Sequence, residues 1–373
     1  MNLMKTIRKS FSARLSLQVV MIASMVFGVV FSVLFFSSKR IVRQEAESHA
    51  GSELSGTVYQ IEDILHQVEA AAKNMEWLVR DRLGNPDSLY AVTRMMMRTN
   101  PHVIGSCVAF EPGFYAEKGE LFAPYSYLTE EGEVKDRNLG YAAYNYHAKE
   151  WYATPKRLDR NYWSEPYFDE GGGDRVMSTY SHVLRNGEGK MFGILTADIS
   201  LDHLSGLVNG IKPYPGSYTL MISRLGNYLV HPKPERILHE TIYTATSDMT
   251  DRSVTILGDA MIRGEEGMHE LQNDDTLSYV FYKPVEGTEW SVAVVCPYRD
   301  VFAPLDRLTL VVVSVFLLGL LALLFFCVWR IRRTSHPLKL FSEAASRVAK
   351  GDLAAPLPEI RTKDELAQFL SLI

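Results

Sequence analysis

Residues 308–329 read LTLVVVSVFLLGLLALLFFCVW, and residues 15–38 read LSLQVVMIASMVFGVVFSVLFFSS. Neither run contains a charged residue, and Gln18 is the one strongly polar side chain in the earlier run. At 1.5 Å of rise per residue, each run is long enough to cross a hydrocarbon core of about 30 Å. The pattern therefore predicts two transmembrane helices on either side of residues 39–307.

Two other interpretations of these runs are weaker. A core helix of a soluble protein seldom continues for so long without a charge. A cleaved signal peptide has a shorter apolar core, and no A-x-A cleavage site follows the first run before Lys39 and Arg40. We therefore interpret the first run as an uncleaved anchor.

The basic residues beside the two runs indicate their orientation, because cytoplasmic flanks carry an excess of Lys and Arg. Seven basic residues lie on the outer flanks: Lys5, Arg8, Lys9, Arg14, Arg330, Arg332 and Arg333. This predicts that residues 1–14 and 330–373 are cytoplasmic and that residues 39–307 are periplasmic. Four basic residues at the inner flanks reduce the asymmetry: Lys39, Arg40, Arg43 and Arg307.

The composition limits the class of protein. Of 373 residues, 47% are hydrophobic and 22% are charged, as in folded rather than disordered chains. The net charge of −5 provides no basic field, so nucleic acid is not an expected partner. Three cysteines exclude a disulfide scaffold and a four-cysteine zinc site, and Cys107 and Cys296 are expected to be buried free thiols.

Residues 41–83 have the pattern of one long helix that ends at Gly84, Asn85 and Pro86. Apolar residues recur at alternating steps of four and three, which is a heptad stripe. The stripe consists of Leu54, Val58, Ile61, Leu65, Val68, Ala72, Met75 and Val79. Two interpretations stay open: the stripe packs on its own domain, or it also contributes to a dimer with a second copy.

From about residue 100 the pattern changes to short strands. Residues 177–186 and 190–200 flank Gly187-Glu188-Gly189, which predicts a hairpin. The other predicted strands are 103–112, 217–223, 226–232, 277–285 and 290–297, with helical stretches near 201–209 and 254–263. The expected fold class is α+β, with one antiparallel module at 84–210 and a second at 211–306, after a shared long helix.

Several strings carry a resemblance to a known family. They are VAFEPGFY, EWYATPKRLDRNYWSEPYFDEGGGDRVMSTYSHVLRNGEGKMFGILTADISLDHL, GNYLVHP and YVFYKPVEGTEWSVAVVCPYRDVF. Together they resemble the extracellular double Cache sensor family over about residues 40–306. The resemblance implies two PAS-like modules on a long helix, with residues 84–210 membrane-distal and residues 211–306 membrane-proximal.

The resemblance also implies a ligand pocket in the first module. Amino-acid-binding members use a Tyr, an Arg-x-Trp-Tyr string, a later Tyr and a later Asp. The matching positions are Tyr144, Lys149, Trp151, Tyr152, Tyr167 and Asp198. The departure is Lys149, because arginine grips a carboxylate with two parallel bonds and lysine is a single flexible charge.

The residue types support the same chemistry. Lys149 provides a cation for a ligand carboxylate and Asp198 an anion for an ammonium group, while the aromatic rings cover the ligand. The alternative is that Trp151 and Tyr152 are core aromatics and that Asp198 bonds local N–H groups at the end of a strand.

The C-terminal segment has a second resemblance. An a/d pattern follows His336-Pro337-Leu338, and Gly351-Asp352-Leu353 interrupts it before Asp364-Glu365-Leu366. The segment 330–373 resembles an incomplete HAMP domain, which implies a homodimer and a signal relay through Pro337, Gly351, Asp352, Asp364 and Glu365. The second helix would have only about ten residues, which is marginal, so the chain is expected to continue. An amphipathic tail on the membrane is the alternative.

No motif points to catalysis, a cofactor or a metal site. Gly171-Gly172-Gly173-Asp174 is interpreted as a loop, and Asn273-Asp274-Asp275 as a solvated turn rather than a calcium site. No nucleophile–base pair and no metal-ligand spacing of histidines stands out.

These features predict a two-pass bacterial inner-membrane receptor that senses a small external ligand, such as an amino acid or another carboxylate. The expected partners are this ligand, the lipid bilayer and a second copy, with no nucleic acid. The E-W-Y…W-S-E-P-Y-F-D-E-G-G form resembles receptors with a PP2C-type phosphatase or histidine kinase output. The alternatives are a methyl-accepting chemotaxis receptor that acts on a kinase in trans, and a receptor without an output. The residues present are not expected to form an enzyme.

Overall fold

The computed structural model describes residues 11–244, 252–273 and 276–349. The chain divides into two compact units. One consists of the described parts of residues 1–42 and 303–373, and the other is Arg43–Phe302.

Six α-helices lie in the described ranges. They are α1 (Phe11–Arg82), α2 (Leu89–Thr99), α3 (Glu150–Leu158), α4 (Leu201–Val208), α5 (Arg252–Ile262) and α6 (Tyr298–Ala349). Short 3-10 turns occur at Pro86–Ser88, Ala116–Lys118, Tyr146–Ala148 and Pro234–Arg236. The predicted membrane run 15–38 and the predicted helix 41–83 form one continuous helix, because the sequence between them contains no Gly or Pro.

The first unit contains the two apolar runs. Among the described residues, α1 and α6 each contain a segment that is long and apolar enough to cross a membrane, and no residue of either apolar window is buried. Within this unit the rings of Phe27 and Phe316 stack with centroids 3.5 Å apart.

The predicted signal-relay residues fall mostly outside the described ranges. Pro337 lies within α6, where only the backbone is described. Gly351, Asp352, Asp364 and Glu365 lie outside the described residues.

The first module is built on an antiparallel sheet. Its strands are β1 (Val103–Phe110), β2 (Pro124–Leu128), β3 (Val134–Asn138), β4 (Tyr162–Trp163), β5 (Tyr167–Phe168), β6 (Val176–Arg185) and β7 (Met191–Ser200). The order is β3-β2-β1-β7-β6-β4, and β5 also pairs with β6. The predicted hairpin is confirmed, since β6 and β7 pair along almost their full length.

The second module contains a smaller antiparallel sheet. Its strands are β8 (Tyr218–Ile222), β9 (Tyr228–Val230), β10 (Gly267–Asn273), β11 (Thr276–Val285) and β12 (Trp290–Pro297), in the order β10-β11-β12-β8-β9. Helix α5 packs on this sheet through Val254, Leu257 and Met261. Asn273, expected in a solvated turn, is the last residue of β10, and Asp274 and Asp275 lie outside the described residues. The α+β prediction is confirmed.

The heptad stripe of α1 is buried within the second unit. Seven of its eight residues, all except Met75, are at most 2% exposed. Polar side chains of the same helix reach both modules: Glu76 contacts His182 at 2.9 Å, and Glu62 Oε1 accepts from the Glu286 amide at 2.8 Å. The stripe therefore packs on its own domain, and a homodimer stays a prediction that needs another surface.

Candidate functional site

The site is built around the centre of the first sheet. Asp198 lies on β7 between Gly105 on β1 and Thr179 on β6. A methyl group on residue 105 would lie 2.5 Å from both Asp198 Oδ2 and Tyr125 Oη, so a larger residue would push these groups apart. The glycine therefore lets a carboxylate and a phenol share one buried space.

Asp198 is almost completely buried, at 3% exposure. Its Oδ1 accepts a hydrogen bond from Thr179 Oγ1 at 2.8 Å, and the Thr179 hydroxyl lies 2.7 Å from Tyr167 Oη. Burial and the nearby Asp169 carboxylate raise the pKa of Asp198 to about 7, and the Thr179 bond opposes this rise. This carboxyl is therefore poised to change charge near neutral pH.

Asp169 is a second buried carboxylate, which follows β5. Its Oδ1 accepts from Tyr144 Oη, and its Oδ2 accepts from the Gly173 amide at 2.8 Å. A methyl group on Gly172 would lie 2.0 Å from the same Oδ2. Burial raises the pKa of Asp169, and the two hydrogen bonds and Lys149 act against this rise. The glycine run was predicted to be a loop, and it is a loop that wraps around a carboxylate.

Lys149 provides a positive charge that acts on Asp169. It is the half-buried N-cap residue of α3, and its Nζ lies 4.8 Å from the centroid of the Tyr144 ring. Its charge lowers the pKa of Asp169. When both carboxylates are ionised, these three residues together carry a net charge of −1.

Tyr125 adds a buried hydroxyl beside the Asp198 carboxylate. The geometry of this hydroxyl is not that of a regular hydrogen bond, but it lies close enough to Asp198 to act against the rise in the pKa of that carboxyl. It lies beside Asp198 Oδ2, and burial first, then the charges of Asp198 and Asp169, raise the pKa of Tyr125. This hydroxyl therefore remains a protonated donor that a ligand or a carboxylate can use.

The structure separates the six residues expected in the pocket. Four of them lie together: Asp198 is one of the two buried carboxylates, and Tyr144, Tyr167 and Lys149 lie beside Asp198 and Asp169. Tyr152 Oη instead donates to Glu111 Oε1 at 2.8 Å, away from them.

Trp151 is a core residue of the same module. It is 3% exposed, and its ring lies 6.2 Å from Tyr146 and nearly parallel to it. It belongs to the apolar cluster that also contains Tyr125 and Tyr144, so it supports the floor of the site.

Sequence reasoning missed Asp169, Tyr125, Thr179 and Gly105. Asp169 had a signal, because it precedes a glycine run that lets the backbone approach a side chain closely. Thr179 lies in the same hairpin as Asp198, directly across from it. Tyr125 and Gly105 come together only through the register of β1, β2 and β7, which the sequence does not specify.

Within the described ranges, no group of three or more His, Cys, Asp or Glu side chains is placed to hold a metal ion. The site is thus an arrangement of carboxylates, hydroxyls and one lysine that suits binding of a small polar ligand.

Two family models match the chain. Residues 89–206 match the first PDC sensor domain of methyl-accepting chemotaxis protein-like receptors, and residues 329–368 match the HAMP domain. The matches agree with the described sheet and with its position before α6. The chain carries a PDC/Cache-like sensor domain followed by a HAMP domain, which confirms both resemblances.

Curated relatives are chemotaxis receptors. Methyl-accepting chemotaxis protein PctB of Pseudomonas aeruginosa is 23% identical over 211 residues, which are 57% of this chain and 32% of PctB. TlpQ of the same organism is 27% identical over 145 residues, 32% of this chain and 20% of TlpQ. The chain thus spans no more than about a third of the length of these relatives.

Solved structures with the same fold are sensor domains. The extracellular domain of soHK1S-Z6, described as a candidate histidine kinase, has a TM-score of 0.60 and 22% identity, covering 72% of this chain and 99% of that one. The periplasmic sensory domain of the Campylobacter jejuni chemoreceptor Tlp1 has a TM-score of 0.58 and 13% identity, covering 70% and 99%. At these identities the similarity shows the fold alone.

The raised pKa of Asp198 predicts a pH-dependent cost to stability. Between its ordinary value of 3.8 and about 7, the folded chain binds more protons at this residue than the unfolded chain does. Its contribution to the free energy of unfolding therefore falls as the pH rises through this window, by about 4 kcal/mol at 1.36 kcal/mol per pKa unit. The melting temperature of Asp198→Asn minus that of wild type should increase from about pH 5 to about pH 8.

Thermal unfolding of the full chain in nanodiscs measures this difference. Asp202→Asn is the matched control, because Asp202 lies four residues further on and is exposed. Its difference from wild type should stay flat over the same range. A flat profile for Asp198→Asn as well would show that Asp198 is not a buried titrating group.

Proposed function

We propose that this chain is the sensing and relay part of a two-pass inner-membrane receptor whose first module binds a small ligand with a protonated amino group. The observation that carries the proposal is the charge of the site. Asp198 and Asp169 are both buried and raise each other's cost of ionisation, and Lys149 is the cation whose charge lowers the pKa of Asp169.

The ligand supplies the missing charge. An ionised carboxylate in a protein interior is costly unless it is paired, so the empty site favours a proton on Asp198. An ammonium group placed between the two carboxylates replaces that proton and donates hydrogen bonds to the Asp198 and Asp169 oxygens. The Tyr144 and Tyr167 rings border the same space and attract a cation.

An α-amino acid is the ligand class that we favour. The sensor domain of PctB has been solved in complex with L-Gln and with L-Arg, and that of Mlp24 with asparagine. In this chain Lys149 pairs with the ligand carboxylate. A lysine ammonium is a single point charge and cannot form the two parallel hydrogen bonds that an arginine forms. We therefore expect the amino group to contribute more to affinity than the carboxylate.

The membrane orientation follows from the charges beside the apolar helices. With residues 1–14 and 330–373 in the cytoplasm, the sensor domain lies in the periplasm and the HAMP segment inside the cell. Ligand binding outside then reaches the HAMP segment through the second membrane helix. We assign no catalytic role to residues 1–373.

Three outputs stay open. The curated relatives are methyl-accepting chemotaxis proteins, which supports a receptor that acts on a kinase in trans. The structural similarity to soHK1S-Z6 is compatible with a kinase output in the same chain, and a PP2C-type phosphatase is the other output that we proposed from the sequence. A methylatable coiled coil, an ATP-binding module or metal-binding aspartates beyond residue 373 would distinguish them.

Isothermal titration of the full chain in nanodiscs tests the ligand class. The probes are L-asparagine, L-glutamine, L-arginine and agmatine, which is arginine without its carboxylate. Asp198→Asn should weaken binding of every probe that binds by about 2–4 kcal/mol, roughly 30- to 800-fold, because it removes one partner of a buried charge pair. Lys149→Ala should weaken L-arginine several-fold and leave agmatine unchanged.

Two exposed residues provide matched controls for this titration. Asp202→Asn and Lys190→Ala remove the same charges outside the site and should leave every affinity as in wild type. Failure of all amino acids and amines to bind wild type would contradict the proposed function. Equal effects of Lys149→Ala on L-arginine and agmatine would contradict the role of Lys149.

A reporter enzyme that is active only outside the cytoplasm tests the orientation. Fused near residue 215, which precedes β8, it should be active, and fused after residue 340 it should be inactive. Activity of the second fusion and not of the first would reverse the proposed topology.

A further inference from the structure

Arg224 connects the two modules through one guanidinium group. It lies in the turn between β8 and β9 of the second module and is a quarter exposed. Its NH2 lies 2.7 Å from Glu150 Oε1, its Nε 3.2 Å from Glu165 Oε1, and its NH1 3.7 Å from Glu289 Oε2. The guanidinium also covers the Tyr162 ring at 4.7 Å. Glu150, Glu165 and Tyr162 belong to the first module.

Glu150 joins Arg224 to the lysine side of the ligand site. It is the first residue of α3 and follows Lys149 directly in the chain. The amide of Tyr152 donates to the Lys149 carbonyl at 3.1 Å, so this first turn of the helix is one local structure. An ion pair on Glu150 therefore restrains the backbone that carries Lys149.

Glu165 joins Arg224 to the carboxylate side of the site. Its neighbour Ser164 accepts from the Thr179 amide through Oγ at 3.0 Å and donates its own amide to the Thr179 carbonyl at 3.0 Å. Thr179 in turn donates to Asp198. The segment that Arg224 holds is thus bonded to the residue that orients the Asp198 carboxylate.

The charges around Arg224 make its position sensitive to removal. Three carboxylates surround one guanidinium, and Glu165 is mostly buried. Without the guanidinium, Glu150 and Glu165 repel each other and Glu165 loses its nearest cation. We therefore expect the segment that carries Glu150 and the segment that carries Glu165 to move apart.

The junction between the modules is also loosely filled. A cavity of about 400 Å³ lies there, lined by Arg224, Tyr162, Trp163, Glu289 and Trp290 among others. The Trp163 and Trp290 rings meet at its edge with centroids 5.7 Å apart. Asn227 of the second module also donates to Glu165 Oε2 at 3.2 Å, so Arg224 shares the connection with this bond and with the contact between the two rings.

We propose that Arg224 is a positioning residue by which the second module orders the ligand site of the first module and detects its occupancy. The coupling to ligand rests on the proposed function, whereas the ordering of the site does not. Glu289 also pairs with Arg224, but it lies in the second module and has no part in this role.

Hydrogen exchange on the full chain in nanodiscs, without ligand, tests the ordering. Arg224→Ala should speed exchange of the amides of Tyr152, Ser164 and Thr179 at least about tenfold, while the amides of Val280 and Val294 in the second sheet stay protected. Arg224→Lys should give a smaller increase, because lysine pairs with one carboxylate at a time. Arg263→Ala, which removes an exposed pair with Glu265, is the control and should change none of these rates.

The outcomes of this experiment are decisive in both directions. Unchanged exchange at all three site amides in Arg224→Ala would overturn the proposal. If Arg224→Ala unfolds and every amide loses protection, Arg224→Lys is used instead, because it keeps a positive charge between the carboxylates. Unchanged exchange at the three site amides in Arg224→Lys would then overturn the proposal.

A titration with L-arginine tests the coupling. Arg224→Ala should weaken binding about tenfold, within the usual range of coupling between sites. Glu150→Gln should weaken binding less than Arg224→Ala does. The double variant should bind no more weakly than Arg224→Ala alone, and Glu289→Gln should have no effect. Additive losses, or an effect of Glu289→Gln equal to that of Glu150→Gln, would overturn the coupling. If wild type binds no amino acid, the proposed function fails and the exchange experiment still decides the role of Arg224.

Discussion

The first module depends on the burial of two neighbouring carboxylates, which raise each other's cost of ionisation. Asp198 and Asp169 are held close together, and the Lys149 charge acts mainly on Asp169. Burial of such groups costs free energy that the fold has to supply elsewhere. The glycines at 105 and 172 leave space for them, and the hydrogen bonds from Thr179 and Tyr144 hold them in place. In the proposed function, the ammonium group of the ligand would offset this cost.

Helix α1 connects the two modules of the sensor domain. It bonds to both of them through Glu62, Glu69 and Glu76. A ligand shifts the receptor only by its differential affinity for two states, typically 1–3 kcal/mol.

The features that the sequence predicted well are those with local signals. The uncharged runs, the heptad stripe on α1 and the β6–β7 hairpin each follow from a repeated pattern or a turn within one segment. Strand β10 was missed because GMHELQN is polar and pairs only with β11. In the site, Asp198 was identified by resemblance, whereas Tyr125 depends on strand register and Asp169 on the closure of a glycine loop. The family pattern also does not specify which way a buried phenol points, and Tyr152 Oη turns to Glu111.

The charge state of Asp198 is the most direct test of this account, and infrared difference spectroscopy measures it without relying on stability. At about pH 6, below the raised pKa, wild type should show the band of a protonated buried carboxyl that Asp198→Asn lacks. L-arginine should abolish this band as its ammonium group replaces the proton. A band that survives in Asp198→Asn, or a band that is absent at pH 6 and appears only below about pH 4 as for an ordinary aspartate, would contradict a buried Asp198 with a raised pKa.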